Sequence, residues 1–224
     1  MNHETLSKEY INYAEYEYPS NHTFKIRHNQ LVPKRELYKR YRLIQRLYPE
    51  PLTSLLDTSS SKGFFVLDAL QQPTCTRAMG IDVNAYDIQF SQALSSHLNT
   101  ARAQFALLRL HELAERIDEF GGPFQTILLI NSYQYFYFGS AVSAFSYQSH
   151  EEIWDYLRKL CSGRIIFNNR INVDDCQNKD KVLEAPEKAA LYSEAHLLQA
   201  ASRHFSITTQ GKIGKYPLLT MDVK

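Results

Sequence analysis

Cysteine is scarce in this chain. Cys75, Cys161 and Cys176 are the only three in 224 residues, an odd number with no metal-ligand spacing. That excludes a disulfide framework and a cysteine-built metal centre. Free thiols in a reducing compartment are expected, and with them a cytoplasmic location. Long hydrophobic runs are missing too: none approaches the roughly 20 residues that span a bilayer, so no membrane partner is expected. Residues 1–20 are polar and acidic and lack the apolar stretch of a secretory signal. Charge of one sign is not in excess: 25 Lys and Arg face 24 Asp and Glu. This argues against a dedicated nucleic-acid binder and leaves room only for a local basic patch. The eight histidines form no H-x-x-x-H or H-E-x-x-H pattern, so no metal is expected. No catalytic triad can be placed, and no internal repeat or low-complexity tract is present.

The length suits one domain with a full core, or one domain with a short extension. The first 20 residues carry Tyr10, Tyr13, Tyr16 and Tyr18 and predict an amphipathic helix or an ordered arm. Lys25–Arg46 is a basic block with Glu36 as its one acid. Leu37, Tyr41 and Ile44 inside it and Leu47 directly after it have helical spacing, with Pro33 at the entry and Pro49 and Pro51 at the exit. The block is either the solvated face of a packing helix or a surface for the phosphates of RNA or of a charged substrate.

An alternation of strands and helices follows. Ser54–Leu56 and Ala78–Val83 read as strands, with helices at Lys62–Leu70 and Ala85–Leu98. Gln104–Leu108 is a third strand, His111–Phe120 a helix, Thr126–Ile130 a strand apolar enough to be buried on both faces. His150–Cys161 is a helix, Arg164–Phe167 a strand and Ser193–Phe205 a helix. Phe205–Thr209 and Pro217–Val223 close the chain as an antiparallel pair. The order predicts an α/β fold: a mostly parallel sheet with helices on both faces, a C-terminal hairpin and an N-terminal helical extension over residues 1–46.

The densest information lies in SLLDTSSSKGFF and GIDVN. A strand ends in Asp57, a small-residue turn leads through Gly63 into a helix, and a second strand ends in Asp82. This is the layout of a nucleotide-binding βαβ unit, with a turn whose N–H groups face a ligand. A dinucleotide site would prefer G-x-G-x-x-G, which the turn does not supply.

These residues, in this order and spacing, resemble the class I S-adenosylmethionine-dependent methyltransferases over residues 47–224. The resemblance implies a Rossmann-like seven-stranded sheet and S-adenosyl-L-methionine as cofactor. It implies that Asp57, Ser59, Ser61 and Gly63 line the methionine side, that Asp82 accepts the ribose hydroxyls, and that Val83 and Asn84 border the adenine. Two glycines usual in the family are Ser59 and Ser61 here. The acid the family often places after its third strand is absent: Arg109, His111 and Glu112 follow instead.

Acceptor-side residues are expected at the C-terminal strand ends. After Thr126–Ile130 comes NSYQYFYFGS, where Asn131 and Tyr133 are the catalytic candidates and Tyr135 a substrate-binding one. After Arg164–Phe167 come Asn168 and Arg170, both substrate-binding candidates. The same aromatics would equally serve as packing between sheet and helix. The expected activity is methyl transfer to a small or medium-sized acceptor. A non-catalytic binding module on the same fold and an RNA methyltransferase using the basic block are the alternatives.

Overall fold

Near the N-terminus, Tyr10 and Tyr13 pack edge-on against Phe90. The computed structural model describes residues 6–224; the first five residues of the expected N-terminal helix lie outside them. Helix α1 (Lys8–Tyr16) starts where the Ser7 hydroxyl accepts the Tyr10 N–H at 3.1 Å. It buries Tyr13 and Ala14 and leaves Tyr16 exposed. The basic block does not begin as a helix. It opens with a hairpin, β1 (Phe24–Arg27) and β2 (Gln30–Pro33), turned by His28 and Asn29 at φ 50° and 59°, the two-residue geometry that matches strand twist. Helix α2 (Arg35–Gln45) follows and buries Leu37 and Ile44 as its spacing predicts; it also buries Arg40.

Strand β3 (Ser54–Asp57) is buried throughout. The next helix, α3 (Phe64–Ala69), starts two residues later than expected. Gly63 takes a left-handed φ of 75° and ends the turn, so Lys62 belongs to the turn and not to the helix. Strand β4 (Arg77–Asp82) ends at the acid, leaving Val83 outside it and exposed. Helix α4 (Ala85–His97) is capped by the Asn84 side chain, which accepts the Tyr86 N–H at 3.1 Å. Strand β5 (Ala103–Leu107) pairs parallel to β4, as β4 does to β3.

The described residues divide by their contacts into two compact units, one ending at Leu108 and one covering Arg109–Lys224. In the second, the expected helix over 111–120 is shorter: α5 (Leu110–Glu115) stops where Arg116 leaves helical geometry, and a 3₁₀ turn over Ile117–Phe120 follows. Strand β6 (Phe124–Ile130) leads into a six-residue helix, α6 (Tyr133–Phe138), formed by the aromatic segment. Helix α7 (His150–Leu160) buries Ile153, Trp154 and Leu157 and continues directly into β7 (Cys161–Asn168). Two short helices, α8 (Lys179–Leu183) and α9 (Pro186–Leu191), precede α10 (Glu194–Ser202). The closing hairpin, β8 (Phe205–Ile213) and β9 (Tyr216–Val223), is antiparallel, with a register shift between Thr209 and Gly211.

The seven strands β3–β9 form one sheet in the order β5-β4-β3-β6-β7-β9-β8. β9 runs antiparallel to β7. This is the α/β sheet with a C-terminal antiparallel hairpin that the alternation predicts. Among the described residues no helix is long and apolar enough to cross a membrane, and all three cysteines are buried free thiols.

Candidate functional site

In the first unit the candidate residues converge on one turn. Asp57, the last residue of β3, is buried; one carboxylate oxygen accepts the Ser59 N–H at 3.3 Å. Burial pushes its pKa up to about 7, against that one bond. Ser59 is half-buried, while Ser60 and Ser61 are buried. Ser61 stands at φ 45°, the left-handed region in which glycine carries no steric penalty. Its N–H donates to Asp82 Oδ2 at 2.9 Å, which holds the serine in that conformation.

The other Asp82 oxygen accepts the Asn84 N–H at 3.0 Å. Burial raises the Asp82 pKa, opposed by the N–H groups of Asn84, Ser61 and Val83. A carboxylate offers about four acceptor positions; the N–H groups of Ser61 and Asn84 take two at hydrogen-bond distance, so about two are left for the hydroxyls of a ligand. The Ser61 hydroxyl is buried and, among the described residues, has no hydrogen-bond partner. An orphaned hydroxyl costs about 1–3 kcal/mol, which a polar ligand group at the turn would remove. Both features fit a cofactor with a ribose diol and an amino-acid moiety.

Gly63 serves packing. A Cβ there would lie 2.8 Å from the Phe105 ring and 2.9 Å from the Ser91 hydroxyl. Gly80 has the same part opposite the turn, where a Cβ would meet Ser60 at 2.5 Å. The Ser60 hydroxyl is thereby committed to the contact between turn and strand.

Lys62, Tyr13 and Asp87 belong to this region too, and none of them is among the site residues expected from the sequence. The fully buried Lys62 side chain sends its ammonium to the Glu17 carbonyl at 2.8 Å, and it lies 4.6 Å from the centroid of the Tyr13 ring. Burial lowers its pKa to about 8, opposed first by Asp87. The Tyr13 hydroxyl donates to Asp87 Oδ1, and Tyr86 donates to Glu9 at 3.0 Å. A long cation inside a small-residue turn is the one sequence signal that points to this cluster.

In the second unit the strand-end candidates separate into surface and interior. Asn131 follows β6 at φ 57°, and its N–H donates to the Asn168 carbonyl at 2.9 Å. Its side-chain oxygen accepts from Arg170 at 3.4 Å. Tyr135 is half-buried and donates to Gln177 at 3.1 Å. Tyr133 does not join them: it is fully buried, its hydroxyl lies 2.8 Å from His150 Nδ1, and its ring packs on Trp154 and Phe167. Asn168 is buried as well, and its amide donates to the carbonyls of Tyr216 and Pro217. The residue between the two substrate candidates, Asn169, shapes the site from within. Its side-chain oxygen accepts the N–H groups of Ser132 and Tyr133 at 2.8 and 2.9 Å, and its amide donates to the Leu129 carbonyl.

No protein-family model and no curated protein matches the sequence. Solved structures do match its fold. The N-methyltransferase NodS from Bradyrhizobium japonicum WM9 superposes with a TM-score of 0.54 at 11% identity, over 84% of this chain and 94% of its own. The PH0226 protein from Pyrococcus horikoshii OT3 gives 0.60 at 13% identity, over 98% of this chain and 100% of its own. A geranyl diphosphate methyltransferase, solved with GPP and sinefungin, gives 0.57 at 12% identity, over 84% and 78%. The chain has the fold of the S-adenosylmethionine-dependent methyltransferases, a Rossmann-like seven-stranded sheet.

Proposed function

We propose that this protein is an S-adenosyl-L-methionine-dependent methyltransferase acting on a small or medium-sized acceptor. The observation that carries the reading is Asp82. It is the acid at the end of the second parallel strand, fixed by the N–H groups of Ser61 and Asn84 and still able to accept a diol. Asp57, Ser59 and Ser61 line the methionine side, Val83 and Asn84 border the adenine, and Gly63 sets the turn. The chemistry such a cofactor supplies is an activated methyl on a sulfonium centre, displaced in line by a nucleophile. The chain's own part is orientation and exclusion of water. Asn131 presents an amide at the β6 end and orients an acceptor without removing a proton. Tyr135 offers a hydroxyl at the same strand end. Tyr133, sealed against His150, holds the segment in place. The set therefore suits an acceptor atom that is already nucleophilic.

One observation favours a second reading, a binding module without catalysis: none of these strand-end candidates is a free base. Calorimetric titration with S-adenosylhomocysteine tests the shared step. Wild type binds, and Asp82→Asn, which keeps one carbonyl acceptor, loses about 1.5–3 kcal/mol of affinity. Equal affinity in a folded variant removes Asp82 from the site. Release of labelled methyl to an acceptor then separates enzyme from module.

A further inference from the structure

We infer that Arg170 is an anion-recognition residue and that the acceptor carries a carboxylate or phosphate group. This rests on the methyltransferase reading above and narrows its substrate class. Arg170 lies two residues past the end of β7, and Asn131 one residue past the end of β6. Positions beyond the carboxyl ends of parallel strands are where α/β sheets bind ligands.

The guanidinium at this place is prepared and unspent. Among the described residues no carboxylate lies within ion-pair distance of it. The nearby acid Asp175 is paired with Lys215, and Asp174 is exposed and pairs with no cation. The polar contact Arg170 does make is the 3.4 Å bond from Nη1 to the neutral Asn131 amide. Its guanidinium carbon lies over the Tyr216 ring, 4.9 Å from the centroid, and its Nε is buried without a partner among the described residues. With the guanidinium carbon over the ring and Nε enclosed, the edge formed by Nη1 and Nη2 is left for a ligand. Two parallel N–H groups on that edge match the oxygens of a carboxylate or phosphate.

The backbone beneath is equally fixed. The Tyr192 hydroxyl donates to the Arg170 carbonyl at 2.7 Å, and Asn168 ties β7 to the start of β9. The neighbouring charges balance without Arg170: Lys215 and Lys179 stand against Asp175 and Asp174. Lys215 shares the Tyr216 ring with Arg170, and Lys179 is held by the carbonyls of Val173 and Asp174. A half-buried guanidinium held by an amide and an aromatic ring, with no acid opposite, attracts an anion to satisfy it.

The test is a titration of the full chain with benzoate and with inorganic phosphate, followed by calorimetry and by amide NMR, with benzamide as the uncharged control. Each series runs without and with saturating S-adenosylhomocysteine, on wild type, Arg170→Gln and Arg170→Lys. Saturable binding of at least one anion and none of benzamide is expected, with the tighter anion naming the headgroup. Arg170→Gln should lose about tenfold or more in anion affinity, and Arg170→Lys should recover part of it. Affinity for S-adenosylhomocysteine should be unchanged in both variants. No saturable anion binding to wild type, or equal binding by Arg170→Gln, overturns the inference. If S-adenosylhomocysteine fails to bind while the Arg170-dependent anion site persists, the cofactor reading falls and the anion site stands.

Discussion

At the scale of single residues, the turn trades ionisation for position. Asp57 sits in a dry strand end with one N–H donor, and burial lifts its pKa from 3.8 to about 7. The native state therefore holds a proton that the unfolded chain has released across that interval. The associated stability is fully present below pH 4 and is lost as pH rises through 7, by up to about 4 kcal/mol. Asp57→Asn keeps a carbonyl for the Ser59 N–H and does not titrate. Urea unfolding from pH 4 to pH 8 should show wild type losing stability relative to the variant over that range. Parallel curves would show that Asp57 stays ionised in the native state. The other buried acids are present in both proteins: Asp68 with a pKa near 6 and the raised Asp87 cancel in the difference, while Asp82, whose charge helps raise the Asp57 pKa, cancels only in part. Gly63 obeys a different constraint. A side chain there meets Phe105 and Ser91 while holding φ at 75°, so Gly63→Ala should lower stability by about 2 kcal/mol or more, whether or not a ligand is bound.

At the scale of elements, α2 shows what spacing reveals and what it hides. The apolar stripe of Leu37 and Ile44 is legible because helical periodicity places it on one face. The hairpin in front of it is not, because His28-Asn29 is an unusual pair for a turn with two positive φ values. Nor does spacing show that Arg40 is buried with its guanidinium 3.0 Å from His22. Arg35, Lys39, Arg42 and Arg46 are the exposed cations of this helix and its exit. Reversing these four to Glu should leave the fold intact, at about 0.5 kcal/mol or less per site. Arg40→Glu alone should cost about 3–5 kcal/mol, because it buries a carboxylate beside a neutral imidazole. Denaturation midpoints read both. The same quadruple variant decides the RNA alternative: tight, salt-sensitive RNA binding by wild type that the variant loses would restore it. The aromatic segment gives the same lesson. Its density is visible in sequence, but in a six-residue helix only packing decides that Tyr133 faces His150 while Tyr135 reaches the rim. The strand-end acids Asp57 and Asp82 are legible because β strand, turn and acid follow one another in the chain. Lys62, Tyr13 and Asp87 come together from three separate segments, and only the cation inside the small-residue turn hints at them.

At the scale of the whole molecule, ligand binding and folding are one equilibrium. A ligand that binds only the native state stabilises it by about 2.7 kcal/mol at about 100 times its dissociation constant. For a chain of this size each kcal/mol moves the melting temperature by about 2–4 °C, so S-adenosylmethionine or S-adenosylhomocysteine should raise it by about 5–10 °C. The effect should scale with the logarithm of ligand concentration and should shrink in Asp82→Asn in proportion to its lost affinity. Adenosine alone should give a smaller shift, because it engages Asp82 and leaves the Ser61 hydroxyl unpartnered. The comparison between adenosine and S-adenosylhomocysteine thus measures what the serine turn contributes on the methionine side. A shift from adenosine equal to that from S-adenosylhomocysteine would mean that Ser59 and Ser61 make no contact with the amino-acid moiety. No shift from any of the three at millimolar concentration would mean that the fold of the methyltransferases is retained here without their cofactor.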